Sequence, residues 1–118
     1  MNTYSHINIM QKKELELQKY LKIISDKSKY KIIKHLAGGE DCVCNIVRKL
    51  KLERTLISHH LNILQKANLI KGRKSGTWIY YSLEKKTFES IEELFKELLG
   101  SANIRGKPNR LDKNNKCN

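Results

Sequence analysis

No stretch of this chain stays apolar for long: no window reaches the ~18 consecutive apolar residues that a membrane span requires. The opening "MNTYSHINIMQKKELELQKY" carries acids and lacks the apolar core of a secretory signal. A cytoplasmic protein without a membrane partner is the expectation. Three cysteines in 118 residues are too few to suggest a disulfide framework, and thiols stay reduced in that compartment. Acidic residues are also scarce, 12 against 24 Lys and Arg, which leaves a net charge of +12 and a pI near 9.7. Solubility needs far less charge than this, so the excess points to a polyanionic partner. An enzyme is not expected, because no phosphate loop, nucleophile–base pair or acid pair can be found.

What is present is a single small domain. Residues 10–24 place Leu17, Tyr20, Leu21 and Ile24 at helical spacing, and a second helix starts at Ser25 or Asp26 and buries Ile32, Ile33 and Leu36. "AGGE" ends it. "DCVCNIVRKLK" then reads as a short helix with Val43, Ile46, Val47 and Leu50 inward. The brief turn "LER" leads to "TLISHHLNILQKANL", with Leu56, Ile57, Leu61 and Leu64 facing the core. Two short helices around a tight turn outline a helix-turn-helix, although the turn has no glycine.

"LIKGRKSGTWIYYSL" follows as a β-hairpin: an apolar strand at Leu69 and Ile70, a basic loop, and a second strand rich in β-formers. The fold class is therefore mainly α with a small hairpin, a winged helix-turn-helix. A last helix over 86–99 repeats Phe88, Ile91, Leu94, Phe95, Leu98 and Leu99 at three and four. From Gly100 onward the chain has five basic residues, one acid and its only proline, and reads as a flexible basic tail. The expected organisation is a DNA-binding and dimerisation domain over 10–99 and a tail over 100–118.

The segments "DCVCNIVRKL" and "LISHHLNILQKANLIKGRKSGTWIYYSL" resemble the ArsR/SmtB family of metal-sensing repressors over roughly residues 15–99. The resemblance implies a homodimeric winged helix that binds operator DNA and releases it when a metal or metalloid binds. "CVC" resembles the thiolate site of the arsenic- and cadmium-sensing branches. Thiolates favour soft ions, so As(III) or Sb(III), then Cd(II) or Pb(II), are the expected inducers, with no permanent cofactor.

In the expected recognition helix, 54–66, Arg54, Thr55, Ser58 and His59 form a polar N-terminal face suited to base edges and phosphates. The family commonly has a small hydroxylic residue and Gln where Glu53 and Arg54 stand, so its operator sequence does not carry over. His60 is either a core residue or exposed. Lys71, Arg73 and Lys74, placed in a wing loop with Gly72 and Gly76, suit phosphate contact. Pairing through the first and last helices would set two recognition helices about 34 Å apart on a palindromic operator.

The expected metal ligands are Cys42, Cys44 and Cys117. Within a regular helix, positions i and i+2 point about 200° apart. One ion on both sulfurs would thus distort the helix that supports the recognition helix. Arsenic sensors with this motif often add a cysteine where Val47 stands, and cadmium sensors add N-terminal ones. With no cysteine before Cys42, Cys117 is left as the third donor. The family's other site uses Asp and His on the last helix, and none lies between Leu83 and Gly100, which disfavours a zinc or nickel sensor. Two alternatives remain open: a thiol redox switch, and a constitutive DNA binder whose cysteines sense nothing.

Overall fold

The computed structural model describes residues 9–102, with side chains up to residue 100. Cys117, and the tail from residue 103, lie outside the described residues. Five helices and three short strands follow one another as α1 (Ile9–Ile24), α2 (Lys27–Ala37), β1 (Asp41–Cys42), α3 (Val43–Leu50), α4 (Arg54–Lys66), β2 (Ile70–Ser75), β3 (Trp78–Leu83) and α5 (Lys85–Ala102). The winged helix-turn-helix expected from the sequence is present. No helix among the described residues is long and apolar enough to cross a membrane.

Local chemistry sets the boundaries. Asp26 caps α2, its carboxylate accepting from the Lys29 amide at 3.0 Å. Gly39, with φ of +138°, turns the chain after α2 into a conformation that L side chains rarely adopt. The turn between α3 and α4 works without glycine because Lys51 itself takes the left-handed conformation, φ 56° and ψ 39°, while its amide bonds Val47 O at 2.9 Å.

The core gathers one face from every helix. Leu17 of α1, Ile32, Ile33 and Leu36 of α2, Ile46 of α3, Ile57, Leu61 and Leu64 of α4, and Ile91 and Leu94 of α5 are buried together with Leu69 and Ile70. On α4 the buried positions Ile57, His60, Leu61 and Leu64 follow the three–four spacing of one helical face.

Several expectations are corrected. Leu21 and Leu56 are exposed, because the inward stripes of α1 and α4 are centred on Leu17 and Ile57. The basic residues of the wing stand on strand β2 and not in a loop; the hairpin reverses between Ser75 and Trp78, with Gly76 at φ +64°. Helix α5 runs through Gly100 to Ala102, positions that the sequence suggested were tail.

A third strand was not foreseen. Asp41 and Cys42 pair antiparallel with Tyr81 and Tyr80, giving the sheet order β1-β3-β2. Cys42 is extended, φ −97° and ψ 163°, and is the residue before α3 and not part of it. The conflict expected between two sulfurs on opposite sides of one helical turn therefore does not arise.

Ile57 is fully buried although its helix presents its other face outward. Ile57→Ala is expected to destabilise the domain by about 2–5 kcal/mol through lost transfer energy and a residual cavity. Urea unfolding followed by circular dichroism measures it.

Candidate DNA-reading and thiol site

Arg54, Thr55, Ser58 and His59 are all exposed on α4; Thr55 and His59 lie on the side away from Ile57 and Leu64, while Arg54 is open as the first residue of the helix. Asn62 is exposed one turn beyond Ser58 and His59. It extends the same polar face, and its spacing was a usable signal that the sequence reading passed over. His60 belongs instead to the core side: it is 8% exposed, and its Nδ1 has no hydrogen-bond partner among the described residues. Burial, and then the nearby Lys29 and His59 charges, push its pKa down, against an opposing pull from Asp26.

The two described cysteines flank the start of α3, and both are half-buried. Cys42 stands at the end of β1 and Cys44 in the first turn of α3. The Arg54 guanidinium donates from Nη2 to Cys44 Sγ at 3.0 Å. A residue expected to read DNA and a residue expected to bind an inducer are thus directly bonded. On the other side, Cys42 is the cross-strand neighbour of Tyr80 on the wing. Directly paired residues of a sheet project to the same face, so the Cys42 side chain lies on the face that carries Tyr80.

Asp41 organises this junction. Its Oδ1 accepts from the Cys42 amide at 2.8 Å and from Asn45 Nδ2 at 2.9 Å, and its Oδ2 accepts from His35 Nε2 at 2.8 Å. Burial pushes the Asp41 pKa up, but the bonds from His35, Asn45 and Cys42 outweigh it and leave the carboxyl below its ordinary value. Asn45 in turn accepts from Arg48. Of this network only Cys42 was singled out in the sequence; Asp41, His35 and Asn45 were not, because the contact joins residues of α2, β1 and α3.

On the wing, Lys71, Arg73 and Lys74 are exposed along β2. Arg73 is bonded in a fork to Glu40, Nε to Oε2 at 2.9 Å and Nη2 to Oε1 at 2.7 Å, and its Cζ lies 5.1 Å from the centre of the Tyr80 ring. The Arg73 hydrogen bonds hold the Glu40 carboxyl below the usual range, and Glu40 raises Arg73.

Among the described residues no group of three or more His, Cys, Asp or Glu side chains is placed to hold a metal ion. Two thiols are what the described chain offers a soft ion. A third donor would have to come from beyond them, as Cys117 would.

Fold and surface together define a winged helix-turn-helix domain with an exposed polar face on α4 and a basic wing. Residues 26–71 match the model of the family described as "Bacterial regulatory protein, arsR family". An HTH-type transcriptional regulator of Methanocaldococcus jannaschii is 44% identical over 78 residues, 65% of this chain and 88% of that one. The arsenical resistance operon repressor of Bacillus subtilis is 36% identical over 84 residues, 66% of this chain and 80% of that one. Among solved structures, the homodimeric winged helix-turn-helix DNA-binding domain of a possible ArsR-family regulator from Mycobacterium bovis superposes with a TM-score of 0.56 at 23% identity, covering 81% of this chain and 83% of that one. The chain belongs to the ArsR family of transcriptional regulators.

His60 gives this site a pH signature. Its folded pKa lies below the ordinary 6.5, so the unfolded chain takes up the proton first as pH falls. Stability from this residue is complete above about pH 6.5 and declines as acidity increases through the folded value. Urea midpoints should drop between pH 7.5 and 5, and His60→Leu should remove part of that drop. An unchanged pH difference in the variant would show that His60 takes no part.

Proposed function

We propose that the protein is a homodimeric repressor that holds a palindromic operator and releases it when a thiophilic metalloid or metal, arsenite first and cadmium or lead second, engages Cys42 and Cys44. The observation that carries this reading is the 3.0 Å bond from Arg54 to Cys44 Sγ. An ion bound to that sulfur withdraws electron density from it and sets a positive charge near the guanidinium, and both effects weaken the hydrogen bond the sulfur accepts. Engagement of Cys44 by an ion therefore competes with its hold on Arg54, the first residue of the recognition helix. Engagement of Cys42 pulls on β1 and hence on Tyr80 of the wing. Both DNA-facing elements are one contact from the thiol pair, so the helix need not be unwound.

The coupling required is modest. A hundredfold loss of operator affinity corresponds to about 2.7 kcal/mol, and DNA must weaken ion binding by the same factor. The two sulfurs select soft ions.

Dimerisation is supported by the apolar surface that α1 and α5 leave uncovered: Met10, Leu21, Phe95, Leu98 and Leu99 are exposed. The two helices are joined by a Lys13–Glu97 ion pair at 3.1 Å. Between them runs a groove of about 420 Å³, lined by Met10, Leu17, Leu21, Leu94 and Leu98 among others.

Two tests follow. The protein first selects its operator from random duplexes; bound complex is then titrated with arsenite, cadmium, lead and zinc in gel shifts under reducing conditions. Arsenite should release wild-type protein, Cys42→Ser and Cys44→Ser should stay bound, and a stalled Cys117→Ser would identify the third donor. If no ion releases the wild type, the sensor reading is lost; release by peroxide alone would establish the redox switch instead. Separately, Arg54→Ala, which removes the contact from both protomers, should cost about 2–6 kcal/mol on the selected operator and relax its sequence preference. Lys71→Ala and Lys74→Ala should each weaken all duplexes alike and flatten the salt dependence by about one ion per protomer.

A further inference from the structure

Of the three wing cations, only Arg73 is held in an ion pair among the described residues, and its partner is not on the wing. Glu40 lies in the connection after α2, immediately beyond the Gly39 corner, and reaches across to β2. The contact is more specific than a chance surface pair. Two parallel N–H···O bonds engage the fork of the guanidinium, and the Tyr80 ring supports the same group at 5.1 Å. Tyr80 is at once the cross-strand partner of Arg73 and of Cys42. Glu40 therefore fixes the wing arginine to the chain segment that leads directly into the thiol pair.

A DNA phosphate asks of Arg73 what Glu40 already takes: bidentate N–H donation and a positive charge without a close anion. A carboxylate left beside a bound phosphate repels it. Together Arg73 and Glu40 carry no net charge, so the pair releases fewer counterions on meeting DNA than Arg73 would alone. We propose that Glu40 is an internal competitor for Arg73, a positioning residue that keeps the wing arginine from phosphate until DNA displaces it, and so limits operator affinity. This rests on the reading that the wing faces DNA. It is independent of what the cysteines bind.

The test is a double-mutant cycle on the full chain and its selected operator, in the absence of any inducing ion, with affinities measured across a salt series. Glu40→Gln keeps the shape of the side chain and removes its charge. For each protomer it should tighten binding about fivefold, the upper range for an exposed pair, and steepen the log–log salt slope by about 0.9. Arg73→Gln should weaken binding and flatten the slope. In the Arg73→Gln background, Glu40→Gln should lose most of its gain.

Equal gain in both backgrounds would show that Glu40 acts as bulk charge and overturn the proposal, as would weaker binding by Glu40→Gln alone. If Arg73→Gln changes neither affinity nor slope, the DNA-facing reading of Arg73 itself fails, a result distinguishable from the others. Trp78, the only tryptophan of the chain, is 52% exposed at the hairpin end, and its emission reports whether the wing keeps its fold in each variant.

Discussion

The pairing of Asp41 and Cys42 with Tyr81 and Tyr80 is a ladder of only two residues, yet it fixes the relation between the wing and the helix-turn-helix. Without it, the connection from α2 to α3 would be a surface loop, and that connection would hold the hairpin only through the Arg73–Glu40 ion pair. A two-stranded hairpin has little stability of its own in water; a third strand and contact with a helix are what such elements need. Here both come from the same short segment. Asp41 secures that segment by accepting three hydrogen bonds, one of them from His35 of α2. The strength of such bonds is increased by the charge on the acceptor.

Placing Cys42 at a strand end and Cys44 in the first helical turn changes what the two sulfurs can do. Residues inside a helix are held by a hydrogen bond at each end of the turn, and moving one side chain to the other side of the axis breaks several. The residue preceding a helix has no such obligation: Cys42 keeps an extended backbone, and its side chain makes no capping bond. On the proposed reading, adjustment of χ angles and of this junction is what would bring both thiols to a common guest. The cost of the adjustment falls on the contacts at the junction, the Arg54 bond and the β1–β3 ladder, and these are the contacts that face DNA-binding elements.

Much of this was legible in the sequence. Periodicity placed the helices within a few residues, since Ile32, Ile33 and Leu36, and Ile57, Leu61 and Leu64, repeat at helical spacing and are in fact buried. Arg54, Thr55, Ser58 and His59 are exposed where the pattern set them. The failures share one cause. β1 is too short to have a period, Lys51 occupies a left-handed position that composition assigns to glycine, and Leu56 is an apolar residue outside the apolar face. Arg73–Glu40 and His35–Asp41 join segments distant in sequence or in different elements, and no local pattern encodes such a partner. The motif revealed which residues could carry chemistry, and tertiary structure supplied the bonds between them.

The magnitudes suit a switch that is local. A chain with a net charge of +12 draws most of its DNA affinity from counterion release, a contribution spread over many cations that no single ion-binding event can cancel. On the proposed reading, regulation acts on the few contacts that discriminate the operator from other DNA. One bidentate arginine–base contact is worth about 1–3 kcal/mol, and a dimer has two Arg54 residues. Withdrawing both removes about 2–6 kcal/mol, which brackets the roughly 2.7 kcal/mol needed for hundredfold release. On this accounting a rearrangement confined to Cys44 and Arg54 suffices, and the buried faces of α3 and α4, with Ile46 and Ile57 at full burial, can stay packed throughout.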